Sequence, residues 1–224
     1  MMSKDQNSFP RFLPVGEGAL LVEFGEKLTP SINQQVRALD AHLQKDPIIG
    51  VVELIPAYSS LLVLYDPVVV QFLDVRNWVK MNLAALTNEV DHDPKQVDIL
   101  VRYGGADGPD LPYVAEYHHL SPAEVIQKHS GPTYHVGMMG FMPGFAYLLG
   151  LDPDLATPRL KTPRTHIPLG SVGIAGVQTG VYPLASPGGW QLIGRTEQIL
   201  FDPLHEPFFA LSPGDKVRFF PVED

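Results

Sequence analysis

Residues 170–190 read Gly170-Ser-Val-Gly-Ile-Ala-Gly-Val-Gln-Thr-Gly-Val-Tyr-Pro-Leu-Ala-Ser-Pro-Gly-Gly-Trp190. A helix interior loses roughly 1 kcal/mol for each glycine relative to alanine, so no long helix survives this composition. Short apolar runs punctuated by glycine and proline fit strands and tight turns instead. The same density extends upstream, since residues 131–194 hold 12 of the 20 glycines. This spacing predicts a compact β-barrel. Further strands are expected at Gln198–Phe201 and Lys216–Phe220, joined through the turn at Ser212-Pro-Gly-Asp215.

Working back from that stretch, Pro122–Ser130 and Asp110–His118 read as two short helices. Ser121 and Glu124 form a capping-box pair at the start of the first of these. Gly104-Gly-Ala-Asp-Gly-Pro109 is a turn, and Val97–Val101 has strand character. The polar, proline-containing Asp91-His-Asp-Pro-Lys95 marks a boundary, giving domains at 1–92 and 93–224. Within the first, Ala19–Phe24 is a buried strand. Thr29-Pro30-Ser31 opens a helix with Ile32, Val36, Leu39 and Leu43 at helical spacing. Ile48–Ile55 and Leu61–Tyr65 form a strand pair around Pro56-Ala-Tyr-Ser59, and Val75–Leu86 is a second helix. The order β, α, β, β, α predicts a small α/β sandwich with helices on one face of an open sheet. The fold class expected is α+β.

The bulk composition narrows the function classes. The chain has 224 residues, a formal charge of −9 and no cysteine. An acidic chain repels phosphate backbones and anionic lipid, so nucleic acid and membranes are poor partners. Lack of cysteine removes disulfides, thiolate metal sites and thiol nucleophiles. The polar Met1–Ser8 has no signal-peptide pattern, and the apolar runs are only strand length, so a cytoplasmic protein is expected.

Four segments carry possible chemistry: Gly140-Phe-Met-Pro-Gly-Phe-Ala-Tyr147, Thr157-Pro-Arg159 with Pro163-Arg164, Gly170–Gly176 with Gln178, and Tyr182–Trp190. Glycines allow close approach to backbone N–H groups, aromatics supply apolar walls, and arginine offers a planar fork for a carboxylate or phosphate. A pocket for a small planar amide or acid would use these parts. Each has a structural alternative: turns for the glycines, core packing for Trp190 and Phe145, and a surface position for Arg159 and Arg164. Gly170-x-x-Gly-x-x-Gly176 is not a dinucleotide fingerprint, no phosphate-loop motif occurs, and Ser171 lies in no G-x-S-x-G elbow. His118, His119, His129 and His135 lack metal-ligand spacing, so no metal is expected. His129, near a helix end, reads either as a cap or as a general acid or base. Asp107 and Asp110 near the glycine turn could assist a cation, and Asx-turn chemistry explains them as well.

Taken together, Gly140-Phe-x-Pro-Gly-Phe-x-Tyr147, Pro163-Arg164, Gly170-Ser-Val172, Gln178, Tyr182-Pro183 and Pro187-Gly-Gly-Trp190 resemble the 5-oxoprolinase B subunit family, also called the PxpB, KipI or allophanate hydrolase subunit 1 family. Ile55–Leu62 and Tyr103-Gly-Gly105 extend the resemblance. It implies a cyclophilin-like second domain and ATP-dependent opening of 5-oxoproline to L-glutamate. An unactivated lactam is a poor electrophile, and phosphorylation turns its oxygen into a leaving group before water attacks. It also implies partners, a KipA-like C subunit and a LamB/YcsF-like A subunit, with ATP used by the complex. Carried over by residue, it implies His129 and Arg164 in catalysis. Tyr147, Arg159, Gln178, Gly188, Gly189 and Trp190 would contact substrate. Arg164→Ala is expected to abolish activity of the assembled complex while leaving the fold intact, and Gly189→Val to damage its turn. His166, where urea carboxylases carry an acidic residue, argues against urea. Relatives also suggest an inhibitor docking on a sensor histidine kinase, or half of a carboxyltransferase.

Overall fold

The computed structural model describes residues 8–86 and 94–222. The chain divides into two compact units, Met1–Asp93 and Pro94–Asp224. The first three residues of the polar Asp91–Lys95 stretch lie outside the described residues.

The first unit runs β1 (Arg11–Pro14), β2 (Ala19–Glu23), α1 (Pro30–Lys45), β3 (Val51–Pro56), β4 (Ser60–Tyr65) and α2 (Phe72–Ala85). The sheet order is β1-β2-β4-β3, antiparallel throughout. Alternation along β2 and β4 buries Leu20, Val22, Leu61, Val63 and Tyr65 in one cluster with Val36, Leu39 and Leu43 of α1 and Val75, Trp78 and Val79 of α2. Both helices therefore cover the same face. Thr29 caps α1 by accepting from the Ile32 N–H at 3.3 Å. Two expectations need correction. The edge strand β1 was not expected, because the four residues Arg11–Pro14 carry little periodic signal. Helix α2 starts at Phe72, three residues earlier than its pattern indicates, and Gln71 makes no side-chain cap that would mark the start.

The second unit contains β5 (Gln96–Tyr103), α3 (Leu111–Tyr117), α4 (Pro122–Ser130), β6 (Tyr134–Met139), β7 (Ala146–Leu149), β8 (Arg164–Ile167), β9 (Ser171–Ala175), β10 (Gln178–Val181), β11 (Ser186–Gly188), β12 (Gln191–Arg195) and β13 (Lys216–Pro221). Seven of these close into a barrel in the order β10-β7-β6-β13-β5-β12-β9, while β8 and β11 pair as a separate ribbon. The barrel interior holds Ile99, Val101, Val136, Leu148, Val172, Ile174, Ile193 and Val217, with Leu111 and Val114 of α3 and Val125 of α4 packed on the same cluster. The expected α+β architecture of a sheet-and-helix unit followed by a barrel holds. The strand expected at Gln198–Phe201 does not form. Only an isolated bridge joins Phe201 to Phe209. The side chain of Gln198 takes over the pairing instead, accepting from the Leu100 N–H at 2.8 Å and donating to the Asp98 carbonyl at 3.0 Å. Those two bonds satisfy β5 backbone groups that a strand ladder would otherwise satisfy.

Among the described residues no helix is long and apolar enough to cross a membrane.

Candidate functional site

Gly180 and Gly188 let aromatic rings pack close against the backbone of the second unit. A Cβ on Gly180 would lie 3.2 Å from the Phe145 ring, and one on Gly188 would lie 2.6 Å from the Tyr182 hydroxyl. With those side chains absent, Phe145, Tyr147, Tyr182 and Trp190 assemble edge to face. Phe145 stands 4.8 Å from Tyr147, 5.3 Å from Tyr182 and 5.4 Å from Trp190, centroid to centroid. Such contacts contribute roughly 0.5–1.5 kcal/mol each beyond area burial and fix the rings in place. Phe145, Tyr182 and Trp190 are buried, so they form a rigid floor.

Above this floor lies a cleft of about 260 Å³ lined by Phe141, Tyr147, Arg159, Pro163, Gly188 and Gly189 as well as the floor rings. Its volume falls just below the roughly 300 Å³ at which drug-sized pockets begin. Phe141 forms the exposed lip, and its backbone has φ 72°. That left-handed conformation is costly for a bulky residue. The turn around it is held by bonds from the Phe145 N–H to the Met142 carbonyl and from the Gly140 N–H to the Phe145 carbonyl, both 3.1 Å.

Arg159 comes in on the loop 156–163. That loop is pinned by a bond from the Leu160 N–H to the Gly189 carbonyl at 2.8 Å, and by Gln191 Nε2 donating to the Pro158 carbonyl at 2.8 Å. The guanidinium carbon lies 5.9 Å from the Trp190 ring centroid. Arg159 makes no ion pair with a carboxylate of the described residues. Burial raises the Tyr147 hydroxyl pKa, and the nearby Arg159 charge works against that shift. Tyr182 is pushed up to about 12 by burial. Both phenols are neutral at physiological pH, so they act as hydrogen-bonding groups and not as bases.

The structure thus gathers Tyr147, Arg159, Gly188, Gly189 and Trp190 around one cleft. It places the other expected residues differently. Arg164, the first residue of β8, sends Nη2 to Asp110 Oδ1 at 2.7 Å and Nη1 to the Trp190 carbonyl at 3.5 Å. Asp110 Oδ2 accepts the Leu192 N–H at 2.7 Å. Arg164 therefore ties the turn before α3 to the start of β12, and it lines a second, smaller cleft. Gln178 lies two residues before Gly180, whose strand partner is Tyr147, so pleat alternation puts it on the Tyr147 face beyond the cleft.

His129 is not brought to the cleft. It is fully buried in the barrel core against Phe219, with ring centroids 4.6 Å apart. Its Nδ1 lies 2.7 Å from the Tyr103 hydroxyl and its Nε2 2.9 Å from Thr179 Oγ1. Thr179 already donates its hydroxyl proton to the Gly173 carbonyl, so Nε2 must carry the ring proton and Nδ1 must accept from Tyr103. Burial lowers the His129 pKa to about 3. A neutral imidazole with both nitrogens engaged and no access to the cleft has no acid or base role there.

Sequence reasoning did not single out Phe141 or Tyr182 as contacts, and it left Phe145 between core packing and ligand contact, although all three stand inside the motifs. Ring proximity, not residue type, separates them from ordinary core aromatics. Arg195 of the second cleft carried no sequence signal at all.

The family model described as "Carboxyltransferase domain, subdomain C and D" matches residues 10–211. The chain is 42% identical over 220 residues to the B subunit of 5-oxoprolinase from Bacillus subtilis, covering 94% of this chain and 92% of that protein. The chain belongs to the 5-oxoprolinase B subunit family. The family's member from Escherichia coli O157:H7 is 41% identical, with 94% of this chain and 95% of that protein covered. The crystal structure of TTHA0988 superposes with a TM-score of 0.80 at 39% identity over 92% of this chain. This chain spans 40% of that protein's length, so the fold of the 5-oxoprolinase B subunit family also occurs within a longer polypeptide.

Proposed function

We propose that the chain is the component of an ATP-dependent 5-oxoprolinase complex that holds the lactam. The carrying observation is the aromatic cleft with Arg159, which has no carboxylate partner among the described residues, poised at its wall. A small cyclic amino acid derivative offers a flat apolar ring, an amide and one carboxylate. The ring suits the faces of Trp190 and Tyr147, and the carboxylate suits the Arg159 fork. The Tyr147 hydroxyl serves as a neutral donor to the lactam oxygen. Gly188 and Gly189 leave the rim open to the ring, and Gln178 supplies a polar contact beyond it. Neither Arg164 nor His129 lines this cleft: Arg164 ties its wall through Asp110 and the Trp190 carbonyl, and His129 lies in the barrel core.

The chemistry follows from the lactam's weak electrophilicity. Transfer of a phosphoryl group from ATP to the lactam oxygen, with ADP leaving, activates the carbon. Water adds there, the ring C–N bond breaks as the nitrogen takes up a proton, and a second water releases phosphate to leave glutamate. This chain supplies orientation and exclusion of water from the ring. ATP is used by the complex, which requires the A and C subunits. The cyclophilin-like character of the barrel and a cytoplasmic setting belong to the same reading.

The test is ATP-dependent release of glutamate from 5-oxoproline by the purified A and C subunits together with the present chain, repeated without the present chain. Activity that needs this chain supports the assignment. A folded, complete mixture with no turnover overturns it.

A further inference from the structure

A second cleft, of about 150 Å³, adjoins the aromatic one along the β8–β11 ribbon. Gly188, on the rim of the first cleft, is the registered strand partner of Arg164, which lines the second. Arg164 and His166 enter from β8, Arg195 from β12 and Asp107 from the turn after β5. The geometry points to this cleft as an oxyanion subsite that takes a phosphoryl group.

Two arginines of the cleft, Arg164 and Arg195, face two carboxylates, Asp110 and Asp107, and the pairing is uneven. Asp110 is fully spent, one oxygen on Arg164 and the other on the Leu192 N–H. Asp107 gives its short contact, 2.9 Å, to Arg102, and reaches Arg195 only at 3.7 Å. Arg102 stands outside the cleft lining and pairs with Asp107 and with Glu197, each at 2.9 Å, so Asp107 has only the long contact left for Arg195. Arg195 is therefore the weakly paired cation of the cleft, and an anionic ligand would meet it there.

The donors are also underused. Arg195 donates from Nε to the Leu169 carbonyl at 3.0 Å, which leaves both terminal nitrogens without a hydrogen-bond acceptor among the described residues. Arg164 uses two of its five N–H groups. His166 is exposed and has no hydrogen-bond partner among the described residues. Ser171 contributes no proton, because its hydroxyl is given to the Pro168 carbonyl at 2.8 Å. Three cationic or donor groups on two strands approach the cleft from different sides. A tetrahedral oxyanion can accept from several directions at once, whereas a carboxylate is met by one fork in one plane. The step served, holding the phosphoryl group while the lactam is activated beside it, rests on the oxoprolinase reading. The anion binding itself does not.

The experiment is calorimetric titration of the full-length chain with inorganic phosphate at fixed ionic strength, with acetate and chloride as comparators. Saturable phosphate binding is expected, with Kd raised at least tenfold by Arg195→Gln and at least threefold by His166→Ala. His166→Ala removes no hydrogen bond from the fold, so it remains informative if the arginine variant is unstable. Phosphate that binds no better than acetate, or folded variants whose Kd stays within twofold, overturns the subsite. A non-hydrolysable ATP analogue that displaces phosphate identifies the nucleotide's terminal group as the occupant. Failure to displace identifies a phosphoryl group carried by the substrate. Phosphate binding without turnover in the assembled complex removes the oxoprolinase reading and leaves the subsite. Turnover without phosphate binding removes the subsite alone.

Discussion

Arg159 and Arg164 look alike in the sequence, two arginines in proline-rich turns, yet their environments assign them opposite duties. Arg159 leans over Trp190 with no acid to neutralise it among the described residues, whereas Arg164 is bonded to a nearly buried Asp110. Arg159→Ala should raise KM for 5-oxoproline in the assembled complex by roughly 10–100-fold, the equivalent of a lost charge-assisted hydrogen bond of about 1.5–3 kcal/mol. Its thermal stability should stay unchanged. An unaltered KM would remove Arg159 from the site. Arg164→Ala should instead lower stability, by about 2–3 kcal/mol, because it strands the Asp110 carboxylate without its cation. The sequence alone suggested a variant that loses activity but keeps its fold, since the partner lies 54 residues away in the chain. Adding Asp110→Asn to that variant should recover part of the loss, measurable by urea unfolding of the four members of the cycle. Strict additivity would mean that the pair is not coupled. Residue type was legible at both positions. The partner, which decides the role, was not.

Elements differ in how far their signals reach. The capping box at α4 was legible because its two members are three residues apart. The structure shows Ser121 Oγ accepting the Glu124 N–H at 3.3 Å, while the Glu124 carboxylate accepts the Ser121 N–H at 2.7 Å. Ser121→Ala should cost about 1 kcal/mol of stability, and Ser121→Asp should restore most of it. Equal stability of the alanine and parent proteins would deny the cap any role. The β8–β11 ribbon was not legible, because it is a short pairing outside the barrel with a register shift between Ser186 and Gly188. Its tight position also differs from the one the sequence suggested. A Cβ at Gly189 has no neighbour closer than 3.7 Å, while one at Gly188 meets Tyr182 and Ile167 below 3.0 Å. Gly188→Ala should therefore displace the Tyr182 ring and impair substrate binding, and Gly189→Ala should be mild in both respects. Tryptophan fluorescence of the aromatic floor would register the difference. Matching spectra and KM values for the two variants would remove the packing argument.

At the scale of the whole barrel, one buried chain of side-chain bonds runs from Tyr103 at the end of β5, through His129 of α4, to Thr179 of β10 and the Gly173 carbonyl of β9. Barrel closure creates this arrangement. The 3.6-residue pattern of α4 marks His129 as inward, but only the strands wrapping round it turn that position into a dry interior. A general acid or base was one reading of the sequence, on the ordinary pKa range of an imidazole. The closed barrel makes the residue a titratable strut. An unfolded His129 takes up a proton near pH 6.5, whereas the folded one resists until about pH 3. The unfolded state therefore binds the extra proton across that window. The stability that His129 confers is fully present above about pH 6.5 and declines as pH falls toward 3, at about 1.4 kcal/mol per pH unit. Between pH 7 and pH 5 this one group should remove about 2 kcal/mol. In His129→Gln, the amide can donate to Thr179 and accept from Tyr103 without titrating. That variant should be less stable than the parent at pH 7, because the packing against Phe219 is altered. Its further loss on going to pH 5 should be smaller than the parent's by the same 2 kcal/mol. Urea midpoints for both proteins at the two pH values decide it. Parallel losses would show that the imidazole already exchanges protons with water in the folded state, and that the barrel interior is wetter around His129 than its packing implies.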